Sequence, residues 1–280
     1  MKNISQSDSI LNHLKALFRE VTQAVSTENK EQKIKMDFNA KGDRVKWFDI
    51  AADQAVCVYL EERFPSPVTL MSEEGVLRCF GKGTPEFTMV LDPIDGSDNF
   101  DCRIPIAGMA VALIPADLPV SVDTVEYALV GDLLTGKTLT AARRHGAYDN
   151  GMAVHTSPVT RLNKALISCE LNHYVMDKPL TGVLSCARGV RAFGCTTRAL
   201  SMVATGILDA HLDLRQRLTP ENFLAPSLII SEAGGLLTDS AGKPLPDIQS
   251  LTERYSILAS ATSELHETLI EQTNGEIEHD

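Results

Sequence analysis

Two aspartates three residues apart, Asp92 and Asp95, lie in the segment FTMVLDPIDGSDNF at 87–100, close enough for both carboxylates to converge on one point. The apolar run before them reads as a strand that delivers Asp92 at its carboxyl end, where the sites of open sheets lie. Pro93 keeps Asp92 out of the helical region and starts a turn. Gly96 lets the backbone approach a ligand closely, and Ser97 opens a new segment whose free amides can face a phosphate. Carboxylates on a rigid turn are the oxygen donors that a hard cation such as Mg²⁺ takes. The bare DxxDGS pattern also fits an ordinary Asp-rich turn. Two neighbours point past that turn. Met71-Ser72-Glu73-Glu74-Gly75 ends the preceding apolar run with paired carboxylates, costly to crowd unless a cation sits between them. Asp53 lies on the helix before that.

The elements that must hold these residues are set by periodicity. Apolar positions Ile10, Leu11, Leu14, Leu17, Phe18, Val21 and Val25 predict an amphipathic helix over 8–26, followed by a charged loop or irregular hairpin. A second helix is expected over 49–64, ended by Pro65 and Pro67. Strands are expected at 68–71, 87–91, 106–114 and 125–130, and Gly81-Lys82-Gly83-Thr84 reads as a hairpin tip, since the full spacing of a phosphate loop is absent. The second half predicts helices at 160–166, 196–206, 219–233 and 263–272. Its strands are expected at 165–170, 208–214, 236–238 and 255–259. Thr219 is the expected cap of the third of these helices, with Pro220 in its first turn and Gly234-Gly235 as its stop. The character of the chain changes near residue 150. Residues 1–150 form an α+β half carrying the acidic motifs, and residues 151–280 an α/β half.

Composition bounds the partners. The chain has 280 residues, 44% of them hydrophobic, and a formal charge of −11, which leaves no basic stripe for nucleic acid. Such a charge also opposes a phosphate ester, unless bound divalent cations reverse the local field. The six cysteines are scattered without a CxxC pair and read as thiols in a reducing compartment. The histidines form no zinc motif. The N-terminal stretch is polar and then amphipathic, and no apolar run reaches membrane-spanning length, so a cytoplasmic protein without membrane partners is expected.

Taken in order, Asp53, Glu73-Glu74, Asp92-Pro93-Ile94-Asp95-Gly96-Ser97-Asp98-Asn99-Phe100 and Glu232-Ala233-Gly234-Gly235 resemble the motifs of the inositol monophosphatase family, within the fructose-bisphosphatase superfamily. The resemblance spans roughly residues 45–260. It implies an α/β fold, a layered αβαβα sandwich, and a homodimer. It implies a Mg²⁺-dependent phosphatase of a small sugar or polyol phosphate, of the inositol monophosphate or fructose 1,6-bisphosphate class. Glu73 and Asp92, with the Ile94 carbonyl, would hold one metal, and Asp92 and Asp95 a second. Ser97 stands at the family's Thr position, and its hydroxyl, paired with Asp53, would orient the attacking water. The amides of Gly96 and Ser97 would hold phosphate oxygens.

On the substrate side, Gly194-Cys195-Thr196-Thr197 matches the family's small-residue turn, where Thr196 and Thr197 could donate to hydroxyls or simply cap a helix. Asp213 matches an acidic position that binds polyol hydroxyls. Arg215 and Arg217 stand where a cation could meet a second phosphate, or form a solvated basic loop. The chain departs from the family at the start of the late helix. Asn222 stands where a carboxylate ligand of the second metal belongs, and Glu221 replaces the usual Trp. A shift in register could let Glu221 supply the missing carboxylate. Two further readings stay open: a nucleotide 3′-phosphatase of the same superfamily, and a binding or regulatory protein whose turnover is weakened by Asn222.

Overall fold

The computed structural model describes residues 2–26, 46–73, 77–174 and 178–274. The expected charged loop and Glu74 fall outside these residues. The chain builds two sheets in succession. Eight strands come first: β1 (Val68–Ser72), β2 (Arg78–Phe80), β3 (Phe87–Asp95), β4 (Gly108–Pro115), β5 (Tyr127–Asp132), β6 (Thr138–Ala142), β7 (Ala147–Asp149) and β8 (Met152–Ala153), in the order β2-β1-β3-β4-β5-β6-β7-β8. The second sheet comes next, with β9 (Leu166–Cys169), β10 (Gly189–Arg191), β11 (Ala210–Leu218), β12 (Leu236–Asp239) and β13 (Tyr255–Ser260) in the order β10-β9-β11-β13-β12.

Helices cover both faces of both sheets. In the first, alternation along each strand sends Met89 and Leu91, Met109 and Val111, and Leu129 to one face, against Leu14, Leu17 and Phe18 of α1 (Lys2–Ser26) and Val56 and Leu60 of α2 (Trp47–Glu62). The residues between them, Val90, Ala110, Ala112, Ala128 and Val130, face α5 (Thr196–Ala204) and α6 (Pro220–Glu232) together with Ile257 and Ala259 of β13. The many alanines on that side let α6 lie close to the sheet. On the far face of the second sheet, Ile167, Leu212 and Leu258 pack on α4 (Lys178–Cys186) and α7 (Ser263–Asn274). The layers therefore run αβαβα, as expected. Gly131 admits Phe18 of α1: a Cβ there would lie 2.2 Å from the Phe18 ring.

Two expectations need correction. Residues 160–166 form only a single 3₁₀ turn at Leu162–Lys164, because hydrogen bonds to distant residues claim the backbone groups after it. The Arg188 amide donates to the Ala165 carbonyl (3.0 Å) and the Leu166 amide to the Asp209 carboxylate (2.6 Å). The Gly81–Thr84 segment is not a hairpin tip, since β1 lies between β2 and β3, pairing antiparallel with the first and parallel with the second. It is a crossover. The sequence reading passes over β6 and α4, and over the two- and three-residue strands β2, β7, β8 and β10, which are too short to show a period.

Candidate functional site

Strand β3 runs past its apolar core and then bulges. Asp92 pairs with Ala110 and Asp95 with Gly108, so three steps on β3 oppose two on β4. The extra residue turns the Asp95 carboxylate toward the same end of the sheet as Asp92. The Ile94 amide donates to Asp92 Oδ1 at 2.9 Å, which fixes the first carboxylate against its own turn. Gly96 comes next with φ +80°, and a Cβ there would meet Cys195 Cβ at 3.0 Å and the Ile106 carbonyl at 3.1 Å, so only glycine fits. Ser97 opens α3 (Ser97–Asp101).

The opposite half of the chain meets this turn at the starts of two helices. At α5, the Thr197 amide donates to Asp95 Oδ2 at 2.6 Å and Cys195 Sγ lies 3.4 Å from the same oxygen. Burial raises the Asp95 pKa, against the lowering effect of these hydrogen bonds. Burial and the Asp95 charge likewise hold the Cys195 thiol well above its ordinary value. Asn99 ties the two segments together: its side-chain amide donates to the carbonyls of Phe193 (2.6 Å) and Ile106 (3.0 Å). Phe100 packs edge-on against Phe48 of α2, with ring centroids 4.9 Å apart.

At α6, Asn222 Nδ2 donates to Asp92 Oδ2 at 2.5 Å, and Asn222 Oδ1 accepts from the Thr219 hydroxyl at 3.1 Å. The residue facing Asp92 is thus Asn222, with Glu221 turned into the interior at 1% exposure. Pro226 contributes from one turn on. Lacking an N–H, it leaves the Asn222 carbonyl without its helical partner, and the Thr197 hydroxyl lies 3.4 Å from that oxygen. A proline in α6 therefore joins the starts of α5 and α6.

Two residues have partners other than those the resemblance implies. It pairs Asp53 with Ser97, but Arg78 of β2 forks onto both oxygens of Asp53, at 2.9 and 2.5 Å. Arg78 also donates to Cys57 Sγ. It sets Arg215 to meet a second phosphate, but Arg215 forks onto Asp213, from Nε to Oδ1 at 2.9 Å and from Nη2 to Oδ2 at 2.6 Å. Thr196 is buried at the start of α5, Gly194 lies beside the Asn99 amide, and Arg217 lies further along β11, past Arg215. Glu73 comes directly after β1, beside the residues that are not described.

Sequence reasoning passes over Lys46 and Glu170. Lys46 Nζ donates to Asp98 Oδ1 (2.7 Å) and to the Ser97 carbonyl (3.2 Å), placing a cation beside the phosphate-facing turn. Nothing local in the sequence marks it. Glu170 comes directly after β9 and is 5% exposed, and burial raises its pKa to about 7. It terminates a predicted strand, the same signal that marks Asp92.

The donor set of Glu73, Asp92, Asp95, the Ile94 carbonyl and Asn222 offers three carboxylates and two neutral carbonyl oxygens, which suits a hard divalent cation. Among the described residues, no three acidic, histidine or cysteine side chains stand close enough to form a metal cluster in this conformation. Asn222 presents its amide nitrogen to Asp92, and a half-rotation of that amide would present its oxygen instead.

A profile of the inositol monophosphatase family matches residues 6–278. The chain belongs to that family. It is 31% identical over 259 residues to a fructose-1,6-bisphosphatase/inositol-1-monophosphatase of Methanothermobacter thermautotrophicus, covering 90% of this chain and 91% of that one. It is 28% identical to human inositol monophosphatase 2, covering 81% and 77%. Among solved structures, the extragenic suppressor protein suhB of Bartonella henselae matches with a TM-score of 0.80 at 21% identity, covering 96% and 100% of the two chains. An inositol monophosphatase of Thermotoga maritima matches at 0.75 and 24% identity, covering 94% and 96%. Both structures share its layered fold. Among the described residues, no helix is long and apolar enough to cross a membrane.

Proposed function

We propose that this chain is a Mg²⁺-dependent phosphomonoesterase acting on a small sugar or polyol phosphate, the substrate class named for its archaeal and human relatives. The observation that carries the reading is the bulged turn, whose two carboxylates are gripped by the starts of α5 and α6 from the other half of the chain. Such convergence gives a rigid anionic floor beside the Gly96 and Ser97 amides, the arrangement that a cation and a phosphate can share.

In this reading Glu73 and Asp92, with the Ile94 carbonyl, would hold one cation, and Asp92 and Asp95, with Asn222, a second. When bound, the ions supply positive charge to the phosphoryl group and to the leaving oxygen. The Gly96 and Ser97 amides receive phosphate oxygens, and Lys46 adds charge at the same edge. Ser97 and Asp53 orient the attacking water once Asp53 is released from Arg78. Serine in place of threonine keeps the hydroxyl but loses the methyl that restricts its rotamer. Asp213 receives substrate hydroxyls beside Gly194 and Thr196. The division of labour falls near residue 150, with the water and the carboxylate donors on the first half, and Asn222 and the alcohol part on the second. The resemblance supports a homodimer, and the free, scattered thiols support a reducing compartment such as the cytoplasm.

The test is phosphate release from myo-inositol 1-phosphate, fructose 1,6-bisphosphate and 3′-phosphoadenosine 5′-phosphate, with Mg²⁺ and with EDTA. Release from the first two that EDTA abolishes supports the reading. A preference for the nucleotide, or release indifferent to EDTA, would overturn it.

A further inference from the structure

The second sheet ends in a charge imbalance that neither the fold nor the metal reading uses. Strand β9 is flanked on both sides by parallel neighbours, β10 and β11, so the carboxyl ends of all three lie together. Ligands of open sheets bind outside such ends. Glu170 stands there, its backbone amide bonded to the Leu212 carbonyl at 3.1 Å, which sets it directly beside Asp213. The Gly194 amide lies near enough to its carboxylate to favour the charged form, and Arg215, Asp95 and Asp213 all act on it electrostatically.

Three carboxylates, Asp95, Glu170 and Asp213, therefore share one guanidinium. Arg215 gives its fork to Asp213, which is fully buried. Glu170 Oε1 is left buried with no hydrogen-bond partner among the described residues. An orphaned buried acceptor is destabilising and rare in folded proteins. The same burial raises the pKa of the group, as expected of a carboxylate short of partners.

Resting on the phosphatase reading above, we propose that Glu170 is a specificity residue for the alcohol part of the ester. Arg215 is shared between Glu170 and Asp213, and whichever carboxylate it leaves accepts a substrate hydroxyl. In the conformation described here, the open acceptor is Glu170 Oε1. A hydroxyl arriving at Asp213 would move Arg215 toward Glu170, and one arriving at Glu170 would leave the fork in place. Either way the cluster gains the donor it lacks. An ester whose alcohol carries no hydroxyl leaves the acceptor orphaned, and sites built to bind a hydroxyl reject such analogues strongly.

The variant is Glu170→Gln, which keeps the shape and the amide contact but loses the charge. Its readout is the ratio of kcat/KM for myo-inositol 1-phosphate to that for p-nitrophenyl phosphate, with Mg²⁺ saturating. A charge-assisted hydrogen bond replaced by a neutral one is expected to lower that ratio by about tenfold. The melting temperature should hold or rise, because a half-satisfied buried carboxylate has been removed. A ratio unchanged from the parent overturns the assignment, as does a fall in melting temperature with equal losses on both esters, which would make Glu170 structural. Glu170→Met serves as a second variant: it removes the acceptor altogether and must shift the ratio at least as far. The parent's own ratio tests the substrate class separately. A parent that cleaves p-nitrophenyl phosphate but no hydroxyl-bearing ester refutes the phosphatase reading's substrate class, and this inference with it.

Discussion

Asn222→Asp is nearly isosteric, and its effect can be worked from one contact. The Asn222 amide nitrogen lies 2.5 Å from Asp92 Oδ2 and donates to it. The substitution removes a hydrogen bond to a charged group, worth about 1.5–3 kcal/mol. It also sets two carboxylates against each other, and like charges about 4 Å apart at an effective dielectric near 20 repel by about 4 kcal/mol. Side-chain rotation and proton uptake relieve part of this, so a net loss of about 2–4 kcal/mol is expected without metal. For a chain of this size, that loss lowers the melting temperature by roughly 5–15 °C. A divalent cation between Asp92 and the introduced carboxylate reverses the sign. Mg²⁺ should bind at least about tenfold tighter than in the parent, equivalent to about 1.4 kcal/mol, and the deficit should narrow by at least that much as Mg²⁺ is added, as linkage requires. The assay is thermal unfolding in EDTA and across a Mg²⁺ titration, followed by the Mg²⁺ dependence of kcat. Glu221→Gln is the control, because Glu221 is turned into the interior while Asn222 faces Asp92. An Asn222→Asp variant as stable as the parent in EDTA, with the same Mg²⁺ dependence, would show that the start of α6 does not line a cation site.

Asp95→Ala should keep the fold at a cost in stability, since the Thr197 amide loses its acceptor, while turnover at saturating Mg²⁺ falls by more than about a hundredfold; near-parental turnover would displace the site. Asn99→Ala frees the Phe193 and Ile106 carbonyls and should cost about 2–3 kcal/mol with a parallel loss of activity, measured by urea unfolding and phosphate release. Acid should unfold the protein through His211 and His266, which burial holds neutral with pKa values lowered to about 4. Unfolded histidines take up protons from about pH 6.5 downward, so the stability these residues confer is full above that pH and lost as it falls toward 4. The slope is about 1.4 kcal/mol per pH unit for each such residue. His211→Gln should flatten the acid limb of a stability–pH curve, and an unchanged limb would refute the assignment.

Some of this protein is local, and that part is legible along the chain. The turn from Asp92 to Ser97 is set by Pro93 and Gly96, whose backbone limits act within a few residues. Helices α1, α2, α5, α6 and α7 declare themselves through apolar spacing, and the Thr219-Pro220 start of α6 through residue types alone. Residue types along the chain could not determine which group answers each charge. Arg78 claims Asp53 from 25 residues away, on a strand too short to show a period. Arg215 gives its fork to Asp213, two residues back, because burial at the sheet end makes a lone carboxylate costly. Pro226 reads as a flaw inside a helix until the fold brings Thr197 to the carbonyl it exposes. Glu170 is one more acid after a strand until β10 and β11 close in beside it. Backbone preferences are decided by neighbours in sequence. Charge pairing and burial are decided by neighbours in space, and here those arrive from both sheets.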